Sequence, residues 1–423
     1  MPAGHSRDRA SRTVANIHAG GELVPLVRFG PFELDAIHLL LRGTSVVDWY
    51  RLHFNDREDI EAFIRLNEFD LRRAEDRKHI AGLKARALDY LRDHLRYRRV
   101  PERIAEADIV ELIEFASGRG RRAYRFYACL VLKVIHLMHY VAGHELVGSL
   151  PITQAEVAVL LRAKVERVVR GLLERKFPLV AFSGNTKTHN SVLSKLMAKR
   201  ESQAAQVFDK LRFRFVVDRL EDVPPLLIAL IRELVPFNYT VPDQAKNTLV
   251  DLPAMLVRAG NLHVIRARQG ESSQQKDSSL PVESPLDESS RPASNQQAED
   301  DLNEPLSAFE TGRRNELSGP GYRVVNFIAE VPIRLDDVIW EDLFVERQHG
   351  PVGFGTIEFQ VIDKATAHRN ETGPNRHALY KGRQRSRVRN RLERGKRGLM
   401  AGGPIDRPLA SEGVSEESDP AEG

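Results

Sequence analysis

Residues 177–218 read FPLVAFSGNTKTHNSVLSKLMAKRESQAAQVFDKLRFRFVVD. The apolar run 177–182 predicts a strand, broken at Ser183-Gly184 by a polar turn. The next residues predict a helix carrying Lys187, Ser191 and Lys195 four apart, and so on one face. Asp209 stands just before a second strand, 211–218, which alternates cleanly. Leu211, Phe213, Phe215 and Val217 share one side; Arg212, Arg214 and Asp218 share the other. A strand, a cationic helix start and a carboxylate at the edge of the next strand make a candidate phosphate-and-metal site.

Upstream of this stretch the apolar period is that of helices, and at Phe177 it changes to two. Residues 1–28 show little periodicity and read as a flexible arm. From Phe32 to Lys176 the pattern is helical. Asn55 with Glu58, and Thr153 with Glu156, have capping-box spacing. Residues 124–141 are apolar nearly all round and predict the central helix of an all-helical domain, 29–176.

Downstream, Pro224 opens a helix over 224–234, and residues 262–267 suit a strand. Residues 269–319 are rich in Ser, Gln, Asp, Glu and Pro with almost no aromatics, too little apolar surface to order themselves. They read as a disordered insert. Strands resume over 321–333 and 352–363, so the insert splits one sheet domain, 177–268 and 320–385. Residues 386–423 form a basic, then acidic tail.

The chain has 423 residues, 42% of them apolar, which is enough to bury at least one sizeable core. Its 63 basic and 59 acidic side chains nearly cancel, to +4, so local charge blocks matter more than the total. A single cysteine, Cys129, excludes an internal disulfide framework and a multi-cysteine metal site. No apolar leader follows Arg7, Arg9 and Arg12. The apolar run 127–147 is interrupted by Lys133, His136, His139 and His144, so no bilayer span is expected there. The expected setting is cytoplasmic, with no membrane partner.

The order of features resembles the synthetase domain of the RelA/SpoT-type alarmone synthetases. In that family a strand leads into an R-x-K-x-x-x-S-x-x-x-K helix, and a D-L-l-g-i-R strand, a G-Y-x-S-L-H segment and a v-E-i-Q-i-R-T strand follow. This chain has Asn185-x-Lys187-x-x-x-Ser191-x-x-x-Lys195, then Phe208-Asp209-Lys210-Leu211-Arg212-Phe213-Arg214. Gly321-Tyr322 opens a later strand, and Ile357-Glu358-Phe359-Gln360-Val361 matches the last motif. His377-x-x-Tyr380-Lys381 is similar to the H-x-x-Y-K that closes such domains. The resemblance spans residues 177–385 outside the insert. It departs from the family at Asn185, which replaces an arginine, in the absence of Ser-Leu-His after Tyr322, and at Ile362-Asp363, which replaces Arg-Thr.

The resemblance implies an α+β fold: an all-helical N-terminal domain, then a nucleotidyltransferase-like mixed β-sheet with flanking helices, interrupted by the disordered insert. It implies Mg²⁺-dependent pyrophosphoryl or nucleotidyl transfer from ATP to a guanine nucleotide or an RNA hydroxyl. Lys187, Ser191, Lys195 and Arg214 would hold phosphates. Asp209 and Glu358 would serve as metal ligands and in catalysis. Gln360 shares the face of Glu358, and Tyr322 would stack on the acceptor guanine. The departures keep an alternative open, a catalytically inactive nucleotide- or RNA-binding regulator of the same fold.

Plainer readings stand beside these. The lysines can be a solvated helix face, Asp209 a loop residue and Glu358 an edge-strand charge. His136, His139 and His144 lack a carboxylate at ligand spacing other than Glu145, and Cys129 fits a core position. The block 376–397 carries Arg383, Arg385, Arg387, Arg389 and Arg391. It suits an arm contacting RNA, or equally a solvated tail balanced by the acidic C-terminus.

Overall fold

The computed structural model describes residues 15–17, 23–25, 36–37, 40–41, 54, 56–97, 99–198, 211–241, 244–251, 321–335, 350–372 and 377–393. Asp209, Asn55, the insert, the strand expected at 262–267 and the acidic tail lie outside them.

The architecture is α+β. Within the expected arm, β1 (Ala15–Ile17) and β2 (Leu23–Pro25) pair as an antiparallel hairpin. After helical residues 36–37 and 40–41 come α1 (Arg57–Leu66), α2 (Ala74–Asp89, continued by a π-helical turn, Tyr90–His94), α3 (Glu102–Glu106), α4 (Ile109–Ala116), α5 (Arg122–Ser149) and α6 (Gln154–Glu174). Their starts are written in the sequence. Asp108 and Glu111 form a capping box on α4, and Thr153 and Glu156 form the expected one on α6. On α1 the cap is Asp56, whose side chain accepts from the Asp59 N–H at 2.9 Å.

Helix α5 is the central one, as its all-round apolar pattern predicts. By length and composition it is apolar enough to cross a membrane, contrary to the reading of its lysine and histidines; half of its most apolar window is buried inside the protein.

Next come β3 (Leu179–Thr186), α7 (His189–Ala198), β4 (Leu211–Val217), α8 (Val223–Glu233), β5 (Lys246–Asn247), β6 (Val325–Arg334), β7 (Val352–Asp363), α9 (Lys364–Glu371) and α10 (His377–Leu392). The sheet order is β3-β4-β7-β6-β5. The β4–β7 pair is parallel and the other pairs are antiparallel, so the sheet is mixed.

The period-two pattern sorts the two faces. Phe213, Phe215, Phe327 and Phe359 are fully buried on one of them. Phe327 and Phe359 stack at 5.0 Å between centroids, and Arg162 of α6 lies over Phe213. Each buried ring removes a large apolar area from water and so stabilises this face of the sheet.

The helices and sheet share one continuous core. Strand β7 enters it beside α5 at Gly143. A Cβ there would collide with the Phe354 ring and the Val352 carbonyl, so only glycine allows the approach. Two charged contacts fix the β6 end on the helices. The Arg334 guanidinium donates to both Asp76 carboxylate oxygens at 2.9 Å. Lys164 donates to Glu68 and to the Pro332 carbonyl, at 2.5 and 2.7 Å.

Candidate active site: a polar face on the mixed sheet

The register that buries the phenylalanines sends polar side chains to the opposite face. Arg212 of β4 lies opposite Glu358 of β7, and Arg214 lies opposite Gln360. Across the other edge of β7, Asn326 of β6 lies opposite Gln360. Residues more than a hundred positions apart in the chain therefore meet in two adjacent rows.

Glu358 is the centre of the cluster. It is 5% exposed. Its Oε2 accepts from Arg212 Nε at 2.7 Å; its Oε1 accepts from Asn326 Nδ2 at 2.9 Å and Gln360 Nε2 at 3.3 Å. Burial works against the Glu358 charge, but the Arg212 guanidinium, Lys187 and the Asn326 amide outweigh it and hold the carboxyl below its usual range.

Arg214 reaches the other way, donating to Glu371 of α9 at 2.8 Å. Tyr322 precedes β6. Its segment is held to α9 by Asn370, which donates to the Arg323 carbonyl at 2.8 Å and accepts from the Arg323 N–H at 3.3 Å. Burial pushes the Tyr322 phenol above its usual range; Arg214 and Arg212 pull against that rise, while Glu358 and Tyr380 add to it.

Lys187 lies outside the helix expected to carry it, in the turn between β3 and α7. It acts electrostatically on Glu358 from there. Only Ser191 and Lys195 lie in α7, so the three do not share one helix face. Ser191 is tied to the helix start: Thr188 Oγ1 donates to Ser191 Oγ at 3.1 Å and accepts from its N–H at 3.4 Å.

The structure thus brings Arg214, Glu358 and Gln360 onto one face with Arg212 and Asn326, and Lys187 and Tyr322 couple electrostatically to that face. The alternation of residues 211–218 had put Arg212 on the right face; its bond to Glu358 was invisible without the strand register.

Magnesium takes one or two carboxylates and completes its shell with water and phosphate oxygens. Glu358, an oxygen donor held ionised by its neighbours, is a described carboxylate of this face of the type magnesium takes. Among the described residues, no three His, Cys, Asp or Glu side chains cluster as a metal site.

The α5 histidines pack among aromatic rings, with His136 Nε2 and both ring nitrogens of His139 buried without a hydrogen-bond partner. His136 stacks on Tyr239 at 4.6 Å, and its Nδ1 meets Asn238 Nδ2 at 2.9 Å. His139 packs between Phe69 and Phe354. His144 Nε2 bonds Glu330 at 2.5 Å. Burial pushes the His136 and His139 imidazoles down to about 3, so both are neutral at pH 7. Cys129 is buried, as a core cysteine should be.

Fold and face together define an α+β protein with a cationic, carboxylate-centred site on a mixed five-stranded sheet. No protein-family model matches the chain, and no curated protein does. Among solved structures the chain is similar to small alarmone synthetase 1 of Bacillus subtilis, with 10% identity, TM-score 0.27, 58% of this chain and 93% of that one. Small alarmone synthetase 2 of the same organism gives 11%, 0.26, 58% and 96%. A GTP pyrophosphokinase family protein of Streptococcus pneumoniae gives 11%, 0.25, 59% and 89%.

Proposed function

We propose that the chain is a Mg²⁺-dependent transferase that moves a pyrophosphoryl or nucleotidyl group from ATP to a nucleotide or RNA hydroxyl. The observation that carries this reading is the meeting of Arg212, Arg214, Asn326, Glu358 and Gln360 on one sheet face, with Lys187 and Tyr322 coupled electrostatically to it.

Phosphoryl-group transfer needs charge neutralisation and positioning more than covalent help from the protein. In pyrophosphoryl transfer the acceptor hydroxyl gives up its proton to solvent as its oxygen bonds to the β-phosphorus, the bond from that phosphorus to the α–β bridging oxygen breaks, and AMP leaves with the bridging oxygen. Arg214 and Lys187 are the cations offered to the donor phosphates. Lys195 and Ser191, further along, would extend the contact. Arg212 is oriented by Glu358, which fixes the direction of its guanidinium. Glu358, ionised and held low, is a poor proton acceptor. It suits the anchoring of Arg212 and of a cation better than the role of general base. Magnesium, when bound, neutralises phosphate charge, with Glu358 and Asp209 as its candidate protein ligands. Tyr322 stays neutral at pH 7 and offers its ring for stacking on a base.

The test is ATP consumption by the purified full chain with guanine nucleotides or RNA present. Turnover that Glu358→Gln lowers at least tenfold supports the reading; absence of turnover with every acceptor rejects it. A second reading, an inactive nucleotide- or RNA-binding regulator, is favoured by the neutral Asn185 on β3 opposite Arg212. Nucleotide binding without turnover selects it.

A further inference from the structure

The two arginines of β4 on the polar face are held by partners of different kinds. Arg212 is bonded to the buried Glu358. Arg214, two residues further along the strand and so on the same side, donates from Nη2 to Glu371 Oε1 at 2.8 Å. The Glu371 side chain is 62% exposed. Breaking a buried pair strands a charge away from water, whereas breaking an exposed pair lets water and salt take over at little cost. Arg212 is therefore a fixed cation and Arg214 an exchangeable one.

Glu371 is the last residue of α9, and both ends of that helix are anchored. The helix begins directly after β7, with no loop between them. Asp363, the last residue of the strand, caps it by accepting from the Thr366 N–H at 3.0 Å. At the other end the buried Asn370 grips the Arg323 backbone through both its amide atoms. The Thr372 N–H and hydroxyl both donate to the His368 carbonyl, at 3.0 and 2.8 Å. With the residues on either side of it bonded in this way, Glu371 presents its carboxylate to Arg214 from a fixed backbone, and its side chain is the part that can turn away. A negative charge in the last turn opposes the helix dipole, and an exposed ion pair adds little to folding stability. The consequence of this placement falls on Arg214.

We propose that Glu371 is a positioning residue that competes with phosphate for Arg214 and so sets the strength of nucleotide binding. The inference rests on the reading of the sheet face as a polyphosphate site. When a nucleotide binds, a guanidinium N–H passes from the Glu371 carboxylate to a phosphate oxygen, and the carboxylate turns to water. No bond is made or broken other than these hydrogen bonds. Apparent affinity is then lowered by the fraction of molecules in which Arg214 has been released. The range of strengths of exposed ion pairs makes that reduction about two- to fivefold.

The experiment is calorimetric titration of ATP with magnesium, at one fixed ionic strength, into the full chain as wild type, Glu371→Gln, Arg214→Ala and the double variant. Glu371→Gln should tighten ATP binding by about two- to fivefold, since the competing charge is gone. A residue that merely supported the fold would give the opposite sign or no change. In the Arg214→Ala background the same substitution should lose most of its effect. The proposal is overturned if Glu371→Gln leaves ATP affinity unchanged or weakens it. It is also overturned if the gain is as large without Arg214, since Glu371 would then act as a diffuse charge. The two levels of the account fail separately. Arg214→Ala weakening ATP while Glu371→Gln brings no gain removes the competition alone; Arg214→Ala without effect, or no ATP binding by any of the four proteins, removes the phosphate reading as well.

Discussion

Arg212→Met separates the charge pair from the rest of the sheet. The substitution keeps a side chain of similar length but takes the guanidinium away from the buried Glu358, beside the Asn326 and Gln360 amides. Removing one partner of a buried pair costs about 3–5 kcal/mol, because the other charge is left uncompensated. The Arg212 side chain is 32% exposed and Lys187 still acts on Glu358, so the lower end, ~3 kcal/mol, applies. The double variant Arg212→Met with Glu358→Met removes the stranded charge and should recover to within about 1 kcal/mol of wild type. The penalty should also be pH-dependent. Without Arg212, burial raises the Glu358 carboxyl, so the variant sheds part of its deficit as pH falls and the group protonates. Wild type behaves in the opposite sense: its Glu358 is held low, and that stabilisation is present above the unfolded value and lost as pH falls through the folded one. Urea unfolding followed by circular dichroism at pH 7.5 and pH 5 measures all three proteins. A single-variant cost under 1 kcal/mol, or a double variant as unstable as the single, would refute the argument.

Other outcomes follow from the same packing. His136 and His139 fold neutral, with imidazoles pushed down to about 3 by burial. Their contribution is therefore whole above the unfolded value near 6.5 and declines below it, by about 2 kcal/mol each at pH 5; replacing both with Leu should flatten the urea stability profile between pH 7 and pH 5. Asp76→Ala strands the nearly buried Arg334 and should cost about 3–5 kcal/mol in urea melts. Gly143→Ala drives a methyl into Phe354 and should cost about 2 kcal/mol, within the range for overpacking, as a lowered unfolding midpoint.

The fold was legible wherever one period ran long enough to pick a face. The α5 apolar pattern, the Thr153–Glu156 cap and the alternation over β4 and β7 each translate one-to-one into the structure, because burial enforces them locally. The polar face follows from the same alternation, which puts Arg212 with Arg214, and Glu358 with Gln360, on the side opposite the phenylalanines. Lys187 falls outside the helix because even four-residue spacing says nothing of where a helix begins; α7 starts at His189. The Arg212–Glu358 and Asn326–Glu358 bonds depend on strand order and register across chain separations of 146 and 32 residues, which no local pattern encodes. The Asp76–Arg334 and Lys164–Glu68 contacts were hidden for the same reason. Short β1 and β2, three residues each, carry too few alternations to be seen.

The central claim is that the polar face of β4, β6 and β7 binds polyphosphate. Calorimetric titration of ATP into the full chain, with and without magnesium, tests it most directly. The account predicts saturable binding that Arg214→Ala weakens about tenfold, the loss expected of one charge-assisted hydrogen bond, while urea stability stays within about 1 kcal/mol of wild type. ATP binding left unchanged by both Arg214→Ala and Lys187→Ala, or no binding at millimolar nucleotide, would contradict it.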